Sequence, residues 1–226
     1  MLIKSALITA ASGSIGGLTA SHNKGGQYFR SRVVPVNSNT EQQQVVRNHM
    51  KACVAAWTGT LTQAYRDGWT AYAEAVGIVN ALGDPRKING LSMFMGCNVP
   101  RLQAGLTRVD VPPTTLTKPT FTAPVYTVTA PSTGSLAYTN TDGWATAVGG
   151  ALLLYTAKGT GVGVNYFKGP YRYAGKVSGA VTPPTSPASI APAFSVTATQ
   201  KVNYRVLAVM ADGRISAPMF LVCTAS

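Results

Sequence analysis

A change of pattern at residues 110–120, a segment rich in proline and threonine, constrains the fold of this chain most. Before it, over residues 38–106, apolar residues recur every three or four positions, which is the spacing of helices that bury one face. After it, short apolar runs are divided by glycine, proline and Asp-Gly turns, which is typical of a β-sandwich. The sequence therefore predicts an α+β protein of two domains.

The domain boundaries follow from this change of pattern. Residues 1–109 are predicted to combine a β-hairpin with a three-helix unit, and residues 110–120 to form a linker. Residues 121–226 are predicted to be all-β, and their strand pattern resembles immunoglobulin-like and fibronectin type III-like sandwiches. The predicted strands of the sandwich are residues 121–130, 135–140, 150–155, 162–167, 191–199, 202–210 and 215–223.

Start signals position the three helices. Thr40 with Gln43 three residues later matches a capping box, Thr62 is expected to cap the second helix, and the third helix is expected to begin after Asn89. Pro100 is expected to kink or end the third helix. The expected buried faces are Val46, Met50, Cys53 or Val54 and Trp57; Tyr65, Trp69, Tyr72 and Val76; and Leu91, Phe94, Met95, Asn98 and Leu102.

A hairpin is predicted between residues 18 and 34. Residues 23–26, Asn-Lys-Gly-Gly, form its turn, because asparagine and glycine tolerate positive φ, and Pro35 ends its second strand. A strand at residues 2–9 is predicted to precede the hairpin.

The second strand of the hairpin has two different faces. Side chains alternate along a strand, so Tyr28, Arg30 and Arg32 share one face, while Phe29 and Val33 share the other and are expected to pack inward. The resulting basic-aromatic stripe has three interpretations: docking onto another subunit, binding of phosphates and bases, or a solvated surface. Docking is favoured over nucleic acid. The candidate interaction residues, for protein docking or for nucleic acid, are Lys24, Tyr28, Arg30, Arg32 and Arg47.

The charge of the chain limits its partners without selecting one. The chain has 19 Lys and Arg against 7 Asp and Glu, a net charge of +12 that is divided equally between residues 1–110 and 111–226. A spread positive field attracts nucleic acid, acidic proteins and anionic envelopes alike. Charged residues make up 12% of the sequence, about half of the usual ~25%, so partners are expected to cover much of the surface.

The sequence lacks the motifs of common enzymes. The segment around residues 9–16 resembles a dinucleotide-binding turn, but of the glycines that this motif requires only Gly16 is present. Asp142 and Asp212 sit in Asp-Gly turns, and no other acidic residues are spaced for acid-base work. The three cysteines form no CxxC pair and are predicted to be buried apolar residues. We therefore predict a protein that is not an enzyme, without cofactor or metal.

Three segments carry a resemblance to a known module. GGQYFRSRVVPVNSNTEQQQVVR, LTQAYRDGW and INGLSMFMGCN resemble a module in proteins of phages and prophage-like regions, which joins a GGxxxRxR hairpin to an LTxxxRxxW helix. The likeness covers roughly residues 13–106, and Ser38 stands where that module often has a proline. The resemblance implies a bacteriophage virion structural protein, such as a capsid decoration or minor capsid protein, a vertex component or a head-tail or tail component.

The expected function is non-enzymatic docking in a symmetric assembly. The expected partners are other copies of the chain and major capsid, portal or tail proteins, with packaged nucleic acid as a possible further partner. The protein is expected in the virion after synthesis in the host cytoplasm, and without membrane insertion, because no apolar run approaches the ~18 residues of a span. Two alternatives stay open: a nucleic-acid-binding protein that uses the hairpin with Arg47 and Arg66, and a glycan-binding surface adhesin that uses Trp144, Tyr155, Tyr171 and Tyr173 of the sandwich.

Overall fold

The computed structural model describes residues 11–23, 26–34, 36–37, 39–79 and 85–226. The chain divides into two compact units, with the division between Glu41 and Gln42. The predicted strand at residues 2–9 and the predicted stop at Pro35 lie outside the described residues. The secondary structure is mixed α+β, as predicted.

The first unit contains a three-stranded antiparallel sheet. Its strands, in the order β1-β2-β3, are β1 (Gly13–Ile15), β2 (Leu18–Asn23) and β3 (Gly26–Ser31). The predicted hairpin is confirmed, since Asn23 pairs with Gly26 and Leu18 with Ser31. β3 ends three residues earlier than predicted, although the Arg32 N–H still donates to the Gly17 carbonyl at 2.8 Å.

The second unit begins with the helices, which start close to the predicted positions. They are α1 (Glu41–Gly59), α2 (Gln63–Val76) and α3 (Gly90–Gln103), and two short paired strands, β4 (Ile78–Val79) and β5 (Pro85–Arg86), lie between α2 and α3. The Thr62 cap and the start of the third helix directly after Asn89 are confirmed. The Thr62 hydroxyl accepts the Tyr65 N–H at 3.4 Å, and the Asn89 carboxamide oxygen accepts the Ser92 N–H at 2.8 Å.

Pro100 was predicted to kink or end the third helix; it does not end it, because α3 continues to Gln103. Arg101, which follows the proline, is only 1% exposed. Its Nε donates to the Thr107 carbonyl at 3.1 Å and its Nη1 to the Met210 carbonyl at 2.6 Å. These bonds tie the last turn of the helix to two other segments, so tertiary contacts outweigh the local preference of proline.

An aromatic cluster holds the three helices together. Trp69 packs edge-on against Phe94, with ring centroids 5.4 Å apart. The predicted burial of the cysteines is confirmed for Cys53 and Cys97, whereas Cys223 is only half-buried. Two residues of the predicted buried faces are exposed instead, Met50 of α1 at 48% and Tyr65 of α2 at 38%. On α1 the buried residues are Cys53 and Ala56, near its C-terminal end.

The sandwich consists of two antiparallel sheets. Its strands are β6 (Val125–Thr129), β7 (Thr133–Ala137), β8 (Ala151–Thr156), β9 (Arg172–Ser178), β10 (Ala188–Ser189), β11 (Lys201–Val209) and β12 (Met219–Thr224). One sheet has the order β10-β7-β6 and the other the order β12-β11-β8-β9. The two sheets share one core, in which Tyr126 of β6 packs edge-on against Tyr204 of β11 at 5.5 Å.

The four-stranded sheet is also covered on its outer face. Leu153 and Leu207 lie there in a buried cluster with Ala104, the residue that follows α3. β8 is therefore buried along its whole length. The segment at residues 110–120 is joined to the helices as well, since the Trp69 indole N–H donates to the Asp110 carbonyl at 3.0 Å. The helices and the sandwich thus belong to one compact unit, and the predicted two-domain division stays a prediction.

Two predicted strands are wrong. Residues 162–167 are irregular, and the strand that pairs with β8 is β9, ten residues later. Residues 191–199 are irregular too, yet Val196 is buried in the core between the sheets. Both segments carry β-branched or aromatic residues, which favour strands. Whether a segment joins a sheet also depends on how its side chains pack against the neighbouring strand, and composition does not show this packing.

Buried thiol and phenol groups make the free energy of unfolding sensitive to high pH. Burial raises the pKa of the Cys97 thiol to about 12 and also raises the pKa of the Tyr72 and Tyr126 phenols. The unfolded chain loses these protons at lower pH than the native protein. The free energy of unfolding should therefore stay constant up to about pH 8.5 and then fall by about 1.4 kcal/mol per pH unit because of Cys97. Above about pH 10, the unfolded-state pKa of tyrosine, each of the two phenols should add a further loss of about 1.4 kcal/mol per pH unit.

Urea unfolding at about pH 7, 9 and 10.5 would measure this loss. The variant Cys97→Ala is the matched control, and its unfolding free energy should fall less steeply above about pH 9 because one buried acid is missing. A free energy of unfolding that stays constant from neutral to alkaline pH would contradict the prediction.

Candidate functional site

The structure positions the predicted interaction residues on two elements. Tyr28 and Arg30 lie on β3, where they pair with Ser21 and Thr19 of β2, and Arg32 follows the strand. Arg30 and Arg32 are exposed, and Tyr28 is half-buried. The hairpin thus brings Tyr28 and Arg30 onto one face of the first unit, as predicted.

The other two predicted residues stand apart from this group. Lys24 lies outside the described residues. Arg47 belongs to the second unit, where it is exposed on α1. Arg66, which the nucleic-acid alternative includes, has a structural role, because its Nη2 donates to the Leu61 carbonyl at 3.0 Å and to the Thr58 carbonyl at 3.3 Å.

The first unit carries large apolar side chains on its surface. Ile15 is 88% exposed and Leu18 54%, and beyond β3 the exposed fractions are 79% for Val33 and 93% for Val36. The expectation that Val33 packs inward is therefore wrong. A three-stranded sheet of this size has too little interior to bury such residues by itself. We call residues 11–37, as far as the structure describes them, the arm.

A second candidate site lies on the outer face of the four-stranded sheet. One row of paired residues crosses all four strands: Phe220 pairs with Arg205, Arg205 with Tyr155, and Tyr155 with Tyr173. Next to this row is a groove of about 720 Å³. We call it the arginine groove, and it is lined by Gln42, Val45, Val46, Gln103, Tyr155, Tyr171, Arg172, Tyr173, Ala193 and Arg205.

Cation–π and ring contacts hold the side chains of the groove in place. The Arg205 guanidinium lies over the Tyr155 ring, 4.2 Å from its centroid, and Tyr173 packs edge-on against the same ring at 5.5 Å. The Tyr155 hydroxyl donates to the Gln103 carboxamide oxygen at 3.4 Å. Burial raises the pKa of Tyr155, against the opposing effect of Arg205, so the phenol stays protonated and remains a donor.

The groove has positively charged lining residues, and one of them carries a buried donor without a partner among the described residues. Arg172 and Arg205 line it, and none of its lining residues is acidic. The Nε of Arg205 is buried and has no hydrogen-bond partner among the described residues. Arg172 lies over the Phe194 ring at 5.0 Å while its side chain stays exposed. Such a site can bind an anionic group, because arginine donates in a fixed planar fork that matches carboxylates and phosphates.

The sequence identified part of this groove. Of the four aromatic residues in the adhesin alternative, Tyr155, Tyr171 and Tyr173 line it, whereas Trp144 is fully buried in the core between the sheets. Arg172 and Arg205 were missed. The sequence of β11 indicated that Arg205 faces away from the core, because Asn203 and Arg205 alternate with buried residues. Which residues of β8 and β9 lie beside Arg205 depends on strand register, which the sequence does not show.

The residues that the structure describes contain no cluster of three or more His, Cys, Asp or Glu side chains that could hold a metal ion. Among the described helices, none combines the length and the hydropathy needed to cross a bilayer. The groove offers charge, hydrogen bonds and aromatic surface, which are the means of non-covalent binding.

Two comparisons of the sequence with known proteins assign it to no family. The sequence matches no protein-family model, and a search of curated proteins finds no significant similarity.

Proposed function

We propose that this chain is a structural protein of a bacteriophage virion that docks through its arm onto further copies of itself. The observation that carries the proposal is the exposed apolar surface of the arm, with Ile15 at 88% and Val36 at 93% exposure. Exposed apolar residues grouped on one small element are typical of surfaces that a partner covers. The basic-aromatic pair Tyr28 and Arg30 adds the residue types that are enriched at protein interfaces.

The sandwich is the part we assign to the outside of the assembly. Its first, second and fifth strands form one sheet, and its third, fourth, sixth and seventh form the other. This division supports a fibronectin type III-like fold, although a sandwich alone does not define a function. In this proposal the protein occupies the capsid, vertex, neck or tail, beside major capsid, portal or tail proteins, and is made in the host cytoplasm.

Arm substitutions test the docking. We expect the purified chain to be an oligomer at about 10 µM, and Ile15→Ser with Val33→Ser and Val36→Ser to shift it to the monomer, because burial of these side chains would drive association. Light scattering coupled to size-exclusion chromatography measures the mass. The matched control is Val148→Ser with Val181→Ser, which changes side chains of the second unit that are 70% and 82% exposed.

Two results would reject the proposal. One is a wild-type chain that is monomeric at this concentration, with an arm variant whose mass is indistinguishable from it. The other is recovery of the protein only from host cytosol when purified particles are examined by mass spectrometry.

The nucleic-acid alternative is tested with the same protein. Exposed Arg30 and Arg32 favour it, and it requires binding of an oligonucleotide that weakens steeply with salt. Fluorescence anisotropy with wild type and with Arg30→Gln plus Arg32→Gln separates the two functions. Docking through apolar contacts predicts that the double variant still forms the oligomer.

A further inference from the structure

The arginine groove carries an inference that does not depend on the arm. We propose that it binds an acidic saccharide, meaning a sugar ring that bears a carboxylate or a sulfate. Its volume of about 720 Å³ lies within the ~300–1,000 Å³ range of ligand pockets. The groove belongs wholly to the second unit, so a monomeric chain would retain it.

Charge is the first reason to expect an acidic ligand. Arg172 and Arg205 line the groove without an acidic residue among the other lining side chains. The guanidinium of Arg205 is fixed over the Tyr155 ring at 4.2 Å, so little further ordering is required when an anion binds. Its buried Nε lacks an acceptor among the described residues, and a buried donor without an acceptor is unfavourable.

Hydrogen-bonding groups are the second reason, and they favour a sugar. Gln42 and Gln103 contribute amides, and Tyr155, Tyr171 and Tyr173 contribute phenols. Amides and phenols both donate and accept, as sugar hydroxyls do. These groups line the same groove as the two arginines, so one ligand can present its acidic group and its hydroxyls together.

The aromatic geometry disfavours a nucleotide. Bases bind single-strand proteins by stacking on open ring faces. In the groove one face of Tyr155 is covered by Arg205, and Tyr173 contacts Tyr155 edge-on at 5.5 Å with an interplanar angle of 67°. The rings therefore do not form the parallel slot that would hold a base, whereas a sugar needs only patches of apolar surface.

Isothermal titration calorimetry on the full chain tests the inference with defined probes. These are cellobiose, cellobiouronate, sulfated cellobiose and uridine monophosphate. We expect one of the acidic disaccharides to bind at least about tenfold more tightly than cellobiose, because an arginine–anion hydrogen bond replaces a neutral one. The comparison of cellobiouronate with sulfated cellobiose identifies the acidic group.

Variants assign the binding to the groove. Arg172→Gln should weaken binding of the preferred acidic disaccharide by about tenfold and leave cellobiose unchanged. Since Arg172 is exposed, this variant should fold normally. Arg205→Lys keeps the charge but loses the planar fork, and it should also weaken binding. The control Lys118→Gln removes one positive charge from an exposed side chain that does not line the groove.

Several results would overturn the inference. They are equal affinity for cellobiose and both acidic disaccharides, tighter binding of uridine monophosphate than of either acidic disaccharide, and equal losses in Lys118→Gln and Arg172→Gln. Absence of heat for every disaccharide at about 10 mM, at two different temperatures, would overturn it as well, since a binding enthalpy that is zero at one temperature is not zero at the other.

Discussion

Replacing Trp69 with alanine is expected to lower the free energy of unfolding by about 4 kcal/mol. The side chain is fully buried and packs edge-on against Phe94 at 5.4 Å and Tyr72 at 6.0 Å. Its indole N–H also donates to the Asp110 carbonyl at 3.0 Å. The substitution therefore leaves a cavity among the helices and removes a bond that holds the segment at residues 110–120.

Urea unfolding followed by circular dichroism measures the effect. The matched control is Tyr65→Ala, one turn earlier on the same helix, where the aromatic side chain is 38% exposed and about 1 kcal/mol or less should be lost. Trp69→Phe should fall between the two, because phenylalanine fills most of the volume but cannot donate to Asp110. Equal losses for Trp69→Ala and Tyr65→Ala would show that Trp69 is not central to the helical core.

The second large effect is expected at Gly134 in β7. A Cβ atom there would overlap the Ile190 carbonyl oxygen and the Tyr126 hydroxyl, well inside van der Waals contact. These two groups form a buried hydrogen bond, in which the Tyr126 hydroxyl donates to Ile190 at 2.8 Å. Gly134→Ala should therefore cost about 3 kcal/mol, since it displaces a core tyrosine and leaves polar groups unpaired.

Gly161→Ala is the control for this substitution. A Cβ at Gly161 would meet no atom within 4 Å, so the change should be about 0.5 kcal/mol in either direction. Thermal unfolding would rank wild type and Gly161→Ala together, with Gly134→Ala well below. If Gly134→Ala were as stable as Gly161→Ala, the close approach of β7 to Tyr126 and Ile190 would be wrong.

The elements that the sequence predicted best are those defined by neighbouring residues. The Thr62 cap bonds to an N–H group three residues away, α3 begins directly after Asn89, and β2 pairs with β3, the next strand in the chain. In each case the sequence contains both partners of the interaction within a few positions. Predicted strands 202–210 and 150–155 lie close to β11 and β8 for the same reason, because their apolar pattern is local.

The errors concern residues whose partners are distant in the chain. Pro100 lies inside α3 because Arg101 bonds to Met210, 109 residues away. β9 was missed because it contains glycine and lysine, and its pairing with β8 compensates for their low strand preference. Val33, expected to pack inward, is exposed because the first unit offers little interior.

The sequence by itself determined the α+β class, the Thr62 cap, the start of the third helix and the hairpin, and the buried character of Cys53 and Cys97. These depend on local hydrogen bonds and on apolar spacing, which are readable along the chain. Only the tertiary structure decided that Arg205, Tyr155 and Tyr173 form one row and that a groove lies beside it. Strand register and the packing of helices on a sheet join residues far apart, so no local pattern specifies them.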